Sequence, residues 1–432
     1  MHDLNQVAKT ALTELKNAGA DSAQCVASFT ETHEFNVDGG EFSLFRTLFD
    51  NSLSLTAIHE HKRGIISVNR FDGTAIREAA ENCLAIAASG TPDEAWELAP
   101  ASEARTFTDG APEADLDLLF SRTRELMETI RARHPLIIME QMIVTHKKRS
   151  TVYENSNGAH FETLSGWYDV DLMYSAHEGE RASSFFGSGI RTDSLERPFI
   201  ELGTVERDLS DVERQIDTKP LEGKFEGVAV FPPSSLGSFL SSILGNFAAD
   251  TTVLDGTSPW RNSLGEQVAD ARITLSAKPF DSRIVCGERF TGEGYASEDY
   301  DIIREGRLES FMLSRYVANK TGLPRAKNSS WALVMEPGET PYDDIIRGIE
   351  RGILVGRFSG GEPGTSGDFS GVAKNSFLIE NGKITCALSE TMINGNLAAL
   401  MKNVRAISAE TVCDGASVLP YAAFEGVTVS GK

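Results

Sequence analysis

No histidine follows His177 in this chain of 432 residues, although eight occur up to that point. Residues 178–432 therefore offer no imidazole for a zinc site, a general base or a Ser-His-Asp triad, unless the first half of the chain supplies one. The phosphate loop G-x-x-x-x-G-K-[ST], the G-x-S-x-G elbow and a G-x-G-x-x-G fingerprint after a strand are also absent. These absences argue against the common nucleotide-binding and serine-hydrolase classes.

Cysteine is scarce and long apolar runs are missing. The five cysteines are an odd number with no C-x-x-C pair, which favours reduced, buried thiols over disulfides or a zinc cage. No apolar run approaches the length of a membrane span, and the opening MHDLNQVAKTALTELKNAG lacks a continuous apolar segment. We therefore expect a cytoplasmic protein without membrane contact.

Basic residues are too few to favour a nucleic-acid partner. The chain has 63 acidic and 41 basic residues and a net charge of −22. Nucleic-acid binding depends on Lys and Arg displacing counterions from phosphates, and the one dense basic run, residues 146–149, is short. We expect no nucleic-acid partner.

Length and periodicity predict an α+β protein of two domains. Apolar residues at three-and-four spacing indicate a first helix over about residues 3–18, and alternation indicates strands over 24–36 and 53–68 with a turn at Lys62-Arg63-Gly64. Residues 91–114 resemble a long solvated connection, and successive antiparallel strands follow Pro135. We place an N-terminal α+β domain with a multi-stranded antiparallel sheet at 1–218. A β-rich C-terminal domain with several helices is placed at 219–432.

The most informative stretch is a Gly-rich loop followed by a hairpin, residues 360–396. The run of small residues from Gly360 to Asp368 excludes a helix or central strand. Asn381-Gly382 lies between two apolar runs, which predicts a type I′ hairpin with Glu380 facing Lys383, Ile379 facing Ile384 and Phe377 facing Cys386. A loop anchored in this way either holds backbone N–H groups toward an extended ligand or is a plain surface connection.

Two other groups of residues carry side chains that are common in catalytic or metal sites. His59-Glu60-His61 places two histidines at i and i+2, which on a strand would share one face and could chelate a metal. An exposed polar strand face is the simpler explanation, because two ligands do not make a closed site. Serines cluster on a predicted helix from Ser234 to Ala249, where capping and small-residue packing are the simpler explanation without a partner base.

The run GDFS at 367–370, IENGKI at 379–384 and SETMINGN at 389–396 resembles the C-terminal signature of the TldD/PmbA family. The family pattern has Arg where this chain has Gly371, and a single Gly where it has Asn375-Ser376. Further similarity, in family order, extends over ENSNG, SLGEQ, PFDS and IIREGRLESFMLSRYVANKTGL. Within this resemblance, the candidate substrate-chamber loop consists of Gly361, Gly364, Gly367, Asp368 and Ser370.

The resemblance also implies where a metal would be expected. Metal-bearing members carry HExxxH on a helix of the second domain, with its Glu as general base on a zinc-bound water. The matching positions here are Ser238, Phe239 and Ile243, so neither histidine nor the glutamate is present. This is the pattern of the PmbA (TldE) branch, whose members pair with a zinc-bearing TldD-like subunit to process unfolded or small peptides.

The resemblance therefore implies a non-catalytic, metal-free subunit of a heteromeric metallopeptidase, in which zinc belongs to the TldD-like partner. Names in the family also refer to modulation of DNA gyrase. Because the chain is acidic, we expect any link to gyrase to be indirect, through peptide processing. Two alternatives stay open: a stand-alone peptide-binding homodimer without catalysis, and a hydrolase that uses the serine cluster or His59 and His61. We expect the chain to self-associate or to pair with a partner through an extensive interface.

Overall fold

A computed structural model of the protein describes residues 3–361, 363–389 and 391–431. Its first 217 residues form four α-helices, a 3₁₀ helix and eight strands. In chain order these are α1 Leu4–Ala18, β1 Ser22–Asp38, β2 Glu41–His59, β3 Lys62–Val68, α2 Gly73–Ser89, β4 Arg105–Gly110, α3 Leu116–Arg133, β5 Ile137–Asn155, β6 His160–Glu178, β7 Arg181–Ala182, β8 Phe186–Thr192, the 3₁₀ helix Phe199–Glu201, and α4 Val205–Glu213.

These strands belong to one eight-stranded sheet with the order β3-β2-β1-β5-β6-β4, in which β7 and β8 also pair with β6. All its pairs are antiparallel except β4 with β6. The helices cover the sheet because each has an apolar stripe. In α1, for example, Leu4, Ala8, Ala11 and Leu15 are buried, Asp3 caps the start and the left-handed Gly19 ends it.

The rest of the chain is richer in strands. In order, its elements are β9 Thr218–Pro220, β10 Lys224–Phe231, α5 Pro233–Phe247, α6 Asp250–Leu254, β11 Leu275–Ala277, β12 Tyr300–Arg304, β13 Arg307–Leu308, α7 Arg315–Thr321, β14 Leu333–Met335, α8 Tyr342–Arg347, β15 Arg351–Leu354, β16 Arg357–Ser359, β17 Asp368–Lys374, β18 Ser376–Glu380, β19 Lys383–Ser389, β20 Met392–Asn396, α9 Leu397–Lys402, β21 Val404–Cys413 and β22 Val418–Ser430.

They build a second, mixed sheet with β22 near its centre, ordered β13-β12-β11-β14-β22-β10-β15-β18-β19-β9. Strands β20 and β21 also pair with β22, and β20 connects β17 and β16 to the sheet. The predicted α+β class is therefore confirmed. The first sheet ends at Thr192 and the second begins at Thr218, while the domain division at 218/219 stays a prediction. Within the described ranges, no helix is long and apolar enough to cross a bilayer.

The predicted turn at Lys62-Arg63-Gly64 is wrong. The hairpin between β2 and β3 turns at Glu60 and His61, which adopt φ of 49° and 62°, and Lys62 already pairs with His59. A two-residue turn of this kind normally takes Asn or Gly, so composition gave no signal for it. His59 and His61 consequently do not lie on one strand face, and His59 lies beside Asp21 at 3.4 Å.

The segment 91–114 is not the solvated connection predicted. It contains β4, which pairs with β6, and its Leu98 and Ala99 are buried. It also joins the two halves of the protein: the Trp96 ring stacks on Tyr316 of α7 at 3.7 Å, and Asp109 accepts two hydrogen bonds from Arg289 at 2.6 and 2.8 Å. The proline-rich, acidic composition of this segment predicted a solvated connection, because only a few of its side chains pack against the rest of the protein.

Candidate functional site

Helix α5 lies at the centre of the candidate site. It begins at Pro233, directly after Pro232, and a proline at this first position removes an N–H that would have no partner in the helix. Its apolar stripe is packed, with Leu236, Phe239, Leu240 and Ile243 between 1 and 7 % exposed. The opposite face carries serines.

The three positions that match the family metal motif have different surroundings. The Phe239 ring contacts the rings of Phe231 at 4.4 Å and Phe369 at 5.3 Å, and Ile243 is 3 % exposed. Ser238 is exposed, and its hydroxyl donates to the Ser234 carbonyl oxygen at 3.3 Å. Two apolar side chains packed in the core and one hydroxyl do not fit a zinc ion, which takes imidazole, thiolate and carboxylate ligands. Two of the three motif positions, Phe239 and Ile243, therefore pack in the core of this chain.

The serine face of α5 borders an open cleft of about 280 Å³ between the two halves of the protein. The start of β8 forms one wall and the start of β16 another. The residues that line it are Phe186, Gly187, Ser234, Ser235, Ser238, Phe239, Ser242, Gly356, Arg357, Phe358 and Pro363.

The Gly-rich loop reaches this cleft through Pro363. Asn246 near the end of α5 donates to the Pro363 carbonyl oxygen at 3.0 Å, and Gly367, at φ 79°, packs against the Phe247 ring. Asn396 donates to the Ser366 carbonyl oxygen and to the Asp368 carboxylate, both at 2.9 Å. The loop is thus fixed to the last turn of α5 and to the start of α9.

The predicted loop residues are close together but do not themselves line the cleft. Gly361 and Gly364 lie in the loop, Gly367 ends it, and Asp368 and Ser370 belong to β17. Gly361, at φ 56°, lies so close to the Ser370 carbonyl oxygen that a Cβ there would clash. Glu362 and Glu390, which belong to the predicted loop and signature, lie outside the described residues. That the loop faces a substrate chamber stays a prediction.

The hairpin after the loop confirms most of the predicted register. Asn381 and Gly382 adopt φ of 50° and 74°, Glu380 faces Lys383 and Ile379 faces Ile384. The pairing of Phe377 with Cys386 is wrong, because a bulge between Leu378 and Ile379 shifts the register and Phe377 faces Ala387 instead.

The structure shows the surroundings of both positions that depart from the family pattern, Gly371 and Asn375. A Cβ at Gly371 would come within 2.5 Å of the Phe358 ring and 2.4 Å of the Gly360 carbonyl oxygen, so the arginine usual in the family has no room here. The extra residue falls at Asn375, which takes φ of 50° between β17 and β18. Its side-chain amide donates to the Ser184 carbonyl oxygen at 3.4 Å.

The structure does not bring the serine cluster to a histidine. The Ser235 hydroxyl donates to the Val355 and Pro232 carbonyl oxygens, and the described residues that line the cleft include neither histidine nor carboxylate. The hydrolase alternative therefore has no general base at this place.

Sequence reasoning missed Arg357. Its guanidinium lies over the Phe185 ring at 4.4 Å and lines the cleft, and burial lowers the pKa of the group below its ordinary value. The buried Nε has no hydrogen-bond partner in the described protein. A lone arginine just before the Gly-rich loop, with no acidic residue between Glu350 and Glu362, was the available signal.

Comparison with known proteins identifies the family of this chain. The profile of the PmbA/TldA metallopeptidase C-terminal domain matches residues 226–431, the part that holds α5, the cleft wall and the loop. The metalloprotease PmbA of Escherichia coli O157:H7 is 24 % identical over 423 residues, 93 % of this chain and 90 % of that protein. The chain belongs to the PmbA/TldD family.

Two solved structures share the whole fold. TldE from Thermococcus kodakarensis superposes with a TM-score of 0.86 at 21 % identity, covering 98 % of this chain and 99 % of that one. A Bacteroides thetaiotaomicron protein, whose name refers to modulation of DNA gyrase, has a TM-score of 0.86 at 25 % identity and covers 100 % of both chains. This PmbA/TldD protein therefore has the complete TldE-type fold.

Proposed function

We propose that this chain is the metal-free subunit of a TldD/TldE-type metallopeptidase that processes unfolded or small peptides in the cytoplasm. The observation that carries the proposal is the environment of α5, where Phe239 and Ile243 are part of the core and Ser238 offers one hydroxyl. A chain that cannot hold zinc at this helix contributes by shaping a chamber, while an HExxxH-bearing homologue supplies the zinc.

An exposed apolar strand supports pairing with such a homologue. Residues 41–52 of β2 pair with β1 on one side, whereas β3 covers only residues 53–59 on the other. This open edge carries four large apolar side chains on its two faces, Phe45 at 51 % and Phe49 at 64 % exposure with Leu44 and Leu48 beside them.

Exposed apolar edges of this kind associate unless they are covered. A homologue with the same fold would carry an equivalent edge, and joining the two sheets would cover both. We therefore assign this edge to contact with the TldD-like subunit. A durable shared chamber needs an interface of roughly 2,000 Å² or more.

The test is to purify this chain alone and together with an HExxxH-bearing homologue, and to assay both preparations on unstructured peptides. We expect a stable pair that cleaves peptides and an isolated chain that does not. Peptidase activity of the isolated chain, undiminished after a chelator, would contradict the proposal. Failure to form any complex with such a homologue would favour the stand-alone peptide-binding homodimer.

A further inference from the structure

Two cations beside the cleft have no carboxylate partner among the residues that the structure describes. Arg357 on β16 and Lys374 on β17 are directly paired across the two strands, so their side chains leave the sheet on the same face. Like charges in this relation repel each other. Neither side chain forms an ion pair or hydrogen bond within the described ranges, although most arginines of the protein do.

Hydroxyl donors lie along the opposite wall of the cleft. Ser234 and Ser242 both line it, and neither hydroxyl has a hydrogen-bond partner among the described residues. The start of α5 opens toward the same space, which adds partial positive charge. Phe185 lies against one face of the Arg357 guanidinium, and the buried Nε of that group has no hydrogen-bond partner among the described residues. Among the described residues, the cleft is therefore lined by hydroxyl groups and a cation and by no carboxylate.

The remaining wall of the cleft is apolar. Phe186, Phe239 and Phe358 contribute rings to a space of about 280 Å³, close to the lower limit of roughly 300 Å³ for small-ligand pockets. Such a volume holds the end of a peptide or one side chain with its neighbours, and not a folded domain. A carboxylate next to an apolar group matches both parts of the lining, since guanidinium groups bind carboxylates through two parallel hydrogen bonds.

We propose that Arg357, with Ser234 and Ser242, forms a site for the carboxylate of a peptide, and that Lys374 strengthens its positive potential. The carboxylate belongs either to the C-terminus of the peptide or to an Asp or Glu side chain. The proposal rests on the proposed function in that the ligand is a peptide. It requires no zinc and no catalysis by this chain.

Fluorescence anisotropy on the full-length chain tests the site directly. The probes are three labelled octapeptides of equal length: one ending in Leu as the free acid, its C-terminal amide, and an amide with one internal Glu. We expect at least one carboxylate-bearing probe to bind roughly 10- to 100-fold more tightly than the plain amide. Preference for the free acid identifies the C-terminus as the source, and preference for the Glu peptide identifies the side chain. Equal affinity for all three overturns the proposal.

Variants locate the effect. Arg357→Gln should abolish the preference for the carboxylate, and Arg357→Lys should restore it only in part because an ammonium lacks the two-pronged geometry. Arg105→Gln, at an exposed position of β4, is the matched control and should leave the preference unchanged. An unchanged preference in a folded Arg357→Gln chain overturns the assignment. If that variant does not fold, the comparison of the three probes on the unaltered chain and on Ser242→Ala still decides whether this site binds a carboxylate.

The two proposals fail separately. If the chain discriminates carboxylate from amide but activates no HExxxH-bearing partner, the carboxylate site stands and the proposed function falls. If the pair cleaves peptides but the chain does not discriminate, the proposed function stands and this site falls.

Discussion

Truncating Phe239 to alanine tests whether the metal-motif positions have become part of the core. The ring is 7 % exposed and lies among the rings of Phe231, Phe369 and Phe358 at 4.4, 5.3 and 5.6 Å. Removing a buried phenyl group forfeits its transfer free energy and leaves a cavity, which together cost about 3–5 kcal/mol. Loss of the three edge and tilted ring contacts favours the upper part of that range.

Urea unfolding monitored by tryptophan fluorescence measures this change, because Trp260 lies in the same core 5.1 Å from Phe247. In thermal unfolding the same loss corresponds to a decrease in Tm of roughly 6–20 °C for a domain of this size. Ser238→Ala, at the exposed neighbouring position, is the control and should stay within about 0.5 kcal/mol of the unaltered chain. A loss below about 1 kcal/mol for Phe239→Ala would refute the packing argument.

Three further outcomes are expected. Burial raises the pKa of Asp208 to about 6 from 3.8, so the ionised carboxylate lowers the stability of the folded protein above pH 6. Asp208→Asn should therefore stabilise the protein by up to about 3 kcal/mol at pH 8 and by far less at pH 4, as measured by urea unfolding at each pH. Gly367→Val should lower peptide processing by the complex, because the valine would have to adopt a left-handed φ and its Cβ would contact the Phe247 ring. Gly364→Val lies in open space and should leave the fold, as measured by circular dichroism, unchanged. Phe49→Glu should weaken subunit association in sedimentation at least tenfold, and Thr47→Glu, a less apolar position on the same strand face, should weaken it less.

Features encoded by short-range patterns were predictable from the sequence. The stripe of α5 follows helical spacing, and the hairpin at Asn381-Gly382 follows from a residue pair that tolerates left-handed φ. The three motif positions were located through the resemblance to the TldD/PmbA family. The burial of Phe239 and Ile243 then followed from their apolar character.

Features that depend on context were not predictable. The turn at Glu60 and His61 uses residues that seldom adopt positive φ, and the bulge after Leu378 leaves no mark in composition. Phe186 and Arg357 line the same cleft, although they lie on different sheets and far apart in the chain. The sequence alone does not distinguish Arg357 from the other arginines, because it does not show that no carboxylate of the described residues pairs with it.

The proposed function requires that zinc belongs to the partner and not to this chain, and the metal content of the two preparations tests this requirement. Inductively coupled plasma mass spectrometry should find no stoichiometric transition metal in the isolated chain and about one zinc per pair in the complex, lost when the partner's HExxxH is altered. About one zinc per isolated chain, lost on substituting residues within 234–246, would contradict the account.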